Sequence, residues 1–165
     1  MIKNIAFKWD EVVSYGYAWD EVEEADMPAR ENWHTVDDKG RLSIPAWIRA
    51  ELGDSFTVTK GIGDECLFIY PNEEWEKMKD KVSRLSLTDT RARGFERVFI
   101  GGACDCSMDK QGRILIPQTL RDYAGLKKDV VVVSLTTRYE IWDSERWKEA
   151  LERFDPATDM EGLGI

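Results

Sequence analysis

Residues 37–45, DDKGRLSIP, recur as DKQGRILIP at residues 109–117, and an internal duplication constrains a fold more than composition does. Asp37 and Asp109 stand 72 residues apart. At that spacing the match reads on without a gap: Arg49 with Arg121, Gly53 with Gly125, Val58 with Val130, Ile69 with Ile141, Glu73 with Glu145, Trp75 with Trp147. Of the 43 positions in 36–78, 11 recur in 108–150, and unrelated segments would rarely keep both Gly and Trp in register. The chain reads as a duplicated unit whose first feature in each copy is a charged turn, Asp-x-x-Gly-Arg.

Strand-type residues 33–36 enter the first turn and residues 42–44 leave it, so the turn reads as a hairpin tip. Asp37 suits the first position because its carboxylate can accept from backbone N–H groups two residues on. Gly40 sits where a hairpin built on a type I turn needs φ > 0. Arg41 follows with its side chain beside Asp37. An exposed pair of this kind is worth only about 0–1 kcal/mol, so stability is a weak reason for an arginine there. A pair that merely fastens the hairpin is the plainer reading. Lys39 beside Arg41 favours a contact surface, since two cations at a tip serve no packing purpose. Pro45 and Pro117 then fit a first helical position, and Gly53 and Gly125 the residue just past a helix end. This predicts short helices over 46–52 and 118–124, with Ile48/Leu52 and Leu120/Ala124 facing inward. Strands over 56–59, 66–70, 130–134 and 139–142 follow. A unit of ~45 residues cannot bury a sufficient core alone, so the two copies are expected to close on each other.

With these residues in view, the chain resembles the MraZ family, bacterial transcriptional regulators built from two AbrB/SpoVT-type swapped-hairpin units. The family's D-x-K-G-R-L-S-x-P signature stands as Asp37, Lys39, Gly40, Arg41, Leu42, Ser43 and Pro45, and its second-copy signature as Asp109, Gly112, Arg113 and Pro117. Residues 97–109 and 139–147 resemble the family's approach to its second repeat and its closing strand and helix. The resemblance covers residues 27–154, about four-fifths of the chain. It implies an α/β, β-rich fold: a duplicated AbrB/SpoVT-like swapped-hairpin barrel with interface helices. The expected organisation is an acidic N-terminal extension (1–30), a first repeat (31–74), a helical connector (75–101), a second repeat (102–146), and a C-terminal helix with acidic tail (147–165). The family usually begins near the residue matching Met27, so residues 1–26 are expected to be an extension or the product of a misplaced start codon.

The function this implies is sequence-specific binding of double-stranded DNA, regulating the division and cell-wall gene cluster from the cytoplasm and nucleoid. Arg41 is the first choice for base readout, because a guanidinium on a stiff tip can pair bidentately with guanine in the major groove. Lys39 would neutralise a phosphate, Asp37 would orient Arg41, and Gly40 would set the bend. Arg113 and Asp109 are the second-copy counterparts, but Gln111 replaces Lys39, so the second tip reads as one charge poorer. A duplicated unit has two non-identical ends, so its natural self-contact is head-to-tail, which closes into a ring. Such a homo-oligomer suits direct repeats in a promoter. The rival reading is an acidic oligomeric protein-interaction module whose turns only fasten hairpins.

Net charge is −9, a caution for nucleic-acid binding. The acid is concentrated at the ends: residues 1–30 hold seven acids and three bases, residues 151–165 four acids and one base. The repeats are close to neutral. No stretch has the ~18 apolar residues of a membrane span, and no signal layout is present, so no membrane association is expected. Cys66, Cys104 and Cys106 invite a metal reading, but the Cys-x-Cys pair is expected to point one side chain to each face of its strand, and small buried strand residues are the better account. His34 has no nucleophile or acid at a telling spacing, and Gly61-Ile62-Gly63 reads as a turn rather than a dinucleotide site. No enzyme, metal or cofactor is expected. Amphipathic helices over 73–85, 88–100 and 144–154 present Trp75, Met78, Val82 and Leu85, then Phe95 and Phe99, then Trp147, Ala150, Leu151 and Phe154. These faces read as core or as subunit interface. Arg91, Arg93 and Arg97 on the middle helix could contact DNA or pair with acids.

Overall fold

The computed structural model describes residues 30–160. The expectations about residues 1–26 and the end of the acidic tail lie outside that range. The elements run β1 (Glu31–Thr35), β2 (Arg41–Ser43), α1 (Ala46–Leu52), β3 (Ser55–Lys60), β4 (Leu67–Pro71), α2 (Asn72–Ser83) and α3 (Thr90–Phe99). The second copy follows as β5 (Cys104–Ser107), β6 (Arg113–Leu115), α4 (Gln118–Ala124), β7 (Asp129–Ser134), β8 (Tyr139–Asp143) and α5 (Ser144–Arg153), with a final turn of helix, α6 (Pro156–Asp159). The mixed α/β class and the duplicated swapped-hairpin architecture are both present.

The strands leading into the turns do not fold back on themselves. β1 pairs with β7 of the second copy, Trp33 opposite Val131, and β5 pairs with β3 of the first, Cys106 opposite Phe56. β2 and β6 pair only with each other, Leu42 opposite Ile114. Within the first turn the local ladder is a single bridge, Val36 to Leu42. The simple hairpin expected at residues 33–44 is therefore corrected to a tight turn between two strands that each find their partner in the other copy. The result is a six-stranded antiparallel sheet in the order β1-β7-β8-β4-β3-β5, beside the two-stranded β2-β6 ribbon. A pseudo-twofold axis passes between β4 and β8, where Phe68 faces Glu140.

Side chains alternate across the large sheet, as the period of two requires. One face carries Phe56, Val58, Leu67, Ile69, Val130, Val132, Tyr139 and Ile141 against Leu42, Ile44, Ile114 and Ile116 of the ribbon and Ile48 and Leu120 of the short helices. The other face carries Phe68, Tyr70, Val131, Val133 and Trp142 against Trp75 and Val82 of α2 and Phe99 of α3. Phe95 stacks on Phe99 at 5.1 Å, and the buried Thr59 hydroxyl donates to the Phe99 carbonyl at 2.6 Å. α2 stops at Ser83, capped by the Arg84 N–H, so Leu85 falls beyond the helix and is 43% exposed rather than inward.

The constant spacing of 72 is also corrected. It holds through the helices and again in β4/β8, but β3 and β7 correspond at a spacing of 74. The pairing partners decide this: Ser55 lies opposite Ser107 as Asp129 lies opposite Thr35. Val58 therefore corresponds to Val132, and its match with Val130 was coincidental. The second copy spends two more residues between helix and strand and two fewer in the following turn. The longer link is anchored: Gly125 caps α4 in the left-handed region, the Leu126 N–H bonds the Arg121 carbonyl, and the Lys128 carbonyl accepts from Val36.

Cys104 and Cys106 require a third correction. Residues two apart on a strand share a face, and both cysteines pack against the same apolar core while Asp105 points out between them. Because Leu42 and Ile114 are fully buried at the crossing of the copies, Leu42→Ala and Ile114→Ala are each expected to cost about 2–5 kcal/mol in urea unfolding. Leu115→Ala, in the same ribbon but 60% exposed, should change stability by no more than about 0.5 kcal/mol.

Candidate nucleic-acid interface

Each turn is built by one carboxylate. Asp37 Oδ1 accepts from the N–H groups of Lys39 and Arg41, both at 2.9 Å, and its Oδ2 accepts from Arg41 Nε at 2.7 Å. Asp109 repeats the arrangement, with Gln111 N–H at 2.8 Å, Arg113 N–H at 3.0 Å and Arg113 Nε at 2.8 Å. One carboxylate thus holds two backbone N–H groups and the Nε of the arginine in each turn. The backbone bond from Arg41 is the first cause that holds the Asp37 carboxyl below its usual range, and the backbone bond from Arg113 does the same for Asp109. Gly40 and Gly112 close the turns at φ 80° and 70°, a region where a side chain is strained.

The two turns are clamped side by side. The Ile116 N–H donates to the Gly40 carbonyl at 2.9 Å, and the Ile44 N–H donates to the Gly112 carbonyl at 3.0 Å. Arg41 and Arg113 line a common cavity of about 180 Å³ with Met108 and Asp109. The sequence-chosen residues Asp37, Lys39, Gly40, Arg41, Asp109 and Arg113 thus meet at one end of the molecule, forming a single composite head.

Three cations at this head were not assigned from the sequence. Arg121 of the second copy lies over the first copy's turn: a Cβ on Gly40 would come within 2.6 Å of its Cζ. Arg49 of the first copy lies over the second copy's turn in the same way, so that a Cβ on Gly112 would land on its Nη1. Arg121 is braced by Gln118, whose Oε1 accepts from it at 2.6 Å. The matching of Arg49 with Arg121 was visible in the repeat; what was missing was the exchange that carries each to the other copy's tip. Lys110 is the third. It occupies the position of Asp38, is exposed, and restores the cation lost at Gln111. The second tip is not poorer in charge; its lysine stands one residue earlier.

Other candidates fall away from the head. α3 covers the opposite face of the sheet, with Arg91 paired to Asp89 at 3.1 Å and Arg93 bonded to the Leu87 carbonyl. His34 lies on the outer strand β1, and burial lowers its pKa. Burial, then the neighbouring Cys104, push the Cys106 thiol up to about 12. Among the described residues, no three His, Cys, Asp or Glu side chains gather as a metal site, and no helix is long and apolar enough to cross a membrane.

Two outcomes follow from the turn geometry. A group whose folded-state pKa is depressed contributes stability above its unfolded pKa and loses it as pH falls through the folded value. Stability should therefore decline below about pH 4, and Asp37→Asn should reduce that decline in urea midpoints compared between pH 7 and pH 2.5. Gly40→Ala should destabilise by about 1 kcal/mol or more, because positive φ and the Arg121 guanidinium both oppose the new methyl group.

Comparison with known proteins agrees with this geometry. The MraZ family, described as "MraZ protein, putative antitoxin-like", matches residues 27–98 and 99–161. A protein of Caldicellulosiruptor saccharolyticus named transcriptional regulator MraZ is 49% identical over 137 residues, covering 80% of this chain and 95% of that protein. Proteins of the same name from Halothermothrix orenii and Moorella thermoacetica are 48% identical over 137 residues and 54% identical over 116. The latter alignment covers 70% of this chain and 80% of the Moorella protein. With both copies matched and both signature turns in place, the chain belongs to the MraZ family.

Proposed function

We propose that this protein is a transcription regulator that binds double-stranded DNA through the composite head formed by its two turns. The observation that carries the reading is the reciprocal clamp. Arg41 and Arg113 are each oriented by an aspartate, each turn lies beneath an arginine from the other copy, and the turns are bonded backbone to backbone. Such a head offers guanidinium groups whose positions are fixed before DNA arrives, which is what base readout needs. Arg41 and Arg113 read base edges, with a bidentate guanine contact worth about 1–3 kcal/mol of discrimination. Lys39, Lys110, Arg49 and Arg121 supply phosphate contacts, which carry most of the non-specific affinity. Asp37, Gly40 and Asp109 shape the turns.

One head is a small footprint on an acidic chain, so several heads on one object bind better, each further contact becoming intramolecular. Two groups of exposed apolar side chains, distant in sequence, support a head-to-tail ring. Leu85 and Leu87 lie in the link between α2 and α3, Val98 lies on α3, and Leu151 and Phe154 lie on and after α5. Two unlike groups fit a heterologous contact, and such contacts generate rings when the rotation closes. A ring repeats its heads in one rotational sense, matching direct repeats spaced ~10 base pairs apart. On this reading the target is the promoter of the division and cell-wall gene cluster, and the protein works in the cytoplasm on the nucleoid.

A gel-shift assay with that promoter, repeated across salt concentrations, tests the reading. Binding should weaken steeply with salt. Arg41→Ala should lose discrimination between the promoter and scrambled DNA. Lys39→Ala should weaken both alike and flatten the salt slope by about one unit. Absence of binding at low salt would leave the acidic interaction module as the better account, and light scattering that reports a monomer would remove the ring.

A further inference from the structure

The ribbon that joins the two turns carries one outward residue that neither the clamp nor the core uses. In β2 and β6, Leu42 and Ile114 are fully buried, so their neighbours Arg41, Ser43, Arg113 and Leu115 share the opposite face. Three of the four are polar. Leu115 is the exception, and it is 60% exposed. The register sets it directly opposite Arg41, as Ser43 lies opposite Arg113. Residues directly opposite in an antiparallel ladder have Cβ atoms about 4.5–5.5 Å apart, so Leu115 stands beside the first of the two arginines.

On most surfaces a single exposed leucine calls for no account. Two observations set this one apart. Leu115 lines the hollow between Arg41 and Arg113 together with Met108 and Ile114, which gives that hollow an apolar side. The apolar pair is also confined to the second copy, since the positions matching Leu115 and Met108 in the first are the exposed Ser43 and the buried Val36. Packing does not explain Leu115, because Ile114 already supplies the core contact from the same strand. The major groove admits a two-stranded ribbon, and the apolar group it presents is the C5 methyl of thymine. Guanine, adenine and cytosine offer only hydrogen-bond donors and acceptors there.

We propose that Leu115 reads the methyl group of a thymine at the base pair beside the guanine read by Arg41, with Met108 backing that methyl in the hollow. The inference rests on the proposed function, because it needs this face of the ribbon to lie in the major groove. Contact between Leu115 and the methyl removes apolar surface from water on both sides and asks for no hydrogen bond. On the other side of the ribbon, the Ser43 hydroxyl can donate or accept and so tolerates any base beside Arg113. One half of the head thus reads guanine with thymine, and the other reads guanine alone.

The test uses the full-length chain and promoter duplexes in which single thymines are replaced by deoxyuridine, which lacks only the methyl group. Duplexes with single 7-deazaguanines, which lack the N7 acceptor, locate the guanine that distinguishes the wild-type chain from Arg41→Ala. At the thymine beside that guanine, deoxyuridine should weaken wild-type binding about 4-fold, the worth of one buried carbon group. Leu115→Ala should bind the thymine duplex as weakly as the wild-type chain binds the uracil one, with no further loss on uracil. Leu115→Met, which conserves volume, should keep the preference for thymine. A urea midpoint confirms that each variant is folded. Three results overturn the inference while leaving the head as the reader: no thymine beside that guanine, no loss on removing its methyl, or a loss that survives Leu115→Ala. Weaker binding by Leu115→Ala together with a smaller particle in light scattering makes Leu115 a subunit contact and overturns it as well. If no guanine distinguishes the two proteins, or the wild-type chain binds no promoter duplex at low salt, base reading by the head fails and this inference fails with it.

Discussion

Each turn satisfies only part of its own backbone and depends on the other copy for the rest. Among the described residues β2 and β6 form a ladder only with each other, and the carbonyls of Gly40 and Gly112 are each met by an N–H from the other copy. Buried backbone groups without partners are costly, so the half-formed ribbon is not a stable intermediate between folded and unfolded. The exchange of β1 and β5 between the copies has the same effect at the sheet edges. Everything else at the head depends on this. Arg49 and Arg121 reach the opposite turns only because the two copies have crossed, and Leu42 and Ile114 are buried only because the ribbon lies across the sheet.

Rigidity is the property that the exchange confers. A lone Asp-x-x-Gly-Arg turn at the end of a free hairpin would leave its arginine to be ordered on contact, and immobilising a long side chain costs about 0.5–1.5 kcal/mol. Here the Asp37 and Asp109 carboxylates hold their arginines beforehand, and the turns cannot move independently. The glycines mark the closeness of the approach: at both, the neighbour on the open side is an arginine side chain from the other copy. The positive charge of the head is thus assembled from both halves of the sequence, although neither half is basic as a whole.

How far this was legible from the residues depended on what each signal reports. Pro45, Gly53, Pro117 and Gly125 are local signals, and the helices they bracket lie where expected, 46–52 and 118–124. The turn residues Asp37, Gly40 and Arg41 were legible for the same reason. Strand exchange is a long-range choice: residues 33–36 and 42–44 suit a simple hairpin equally well, and only the resemblance pointed to swapping. The shift between β3 and β7 was hidden because two compensating length changes restore the spacing by β4/β8, and a chance valine match concealed them. Lys110 was overlooked because matching position by position records Gln111 as a loss without noticing the charge beside it. The placing of Cys104 and Cys106 on opposite faces was an error of period, since two steps along a strand return to the same side.

The departures from symmetry are as informative as the symmetry. On the pseudo-twofold axis, Phe68 of one copy meets Glu140 of the other, and Arg138 joins them. It lies 4.3 Å from the Phe68 ring centre while donating to Glu140 Oε1 at 2.7 and 3.0 Å, and Trp142 Nε1 donates to the second oxygen at 2.9 Å. A buried carboxylate that lost these donors would be strongly destabilising, so the arrangement favours the pairing of unlike copies over the pairing of two identical first copies, which would set Phe68 against Phe68. At the head the same inequality appears as Asp38-Lys39 in one turn and Lys110-Gln111 in the other. A strictly twofold head would read a site equally well in either direction. The proposed DNA-reading head, whose lysines stand at different positions in its two turns, would distinguish the two orientations, as the proposed ring would require in order to follow direct repeats in one sense.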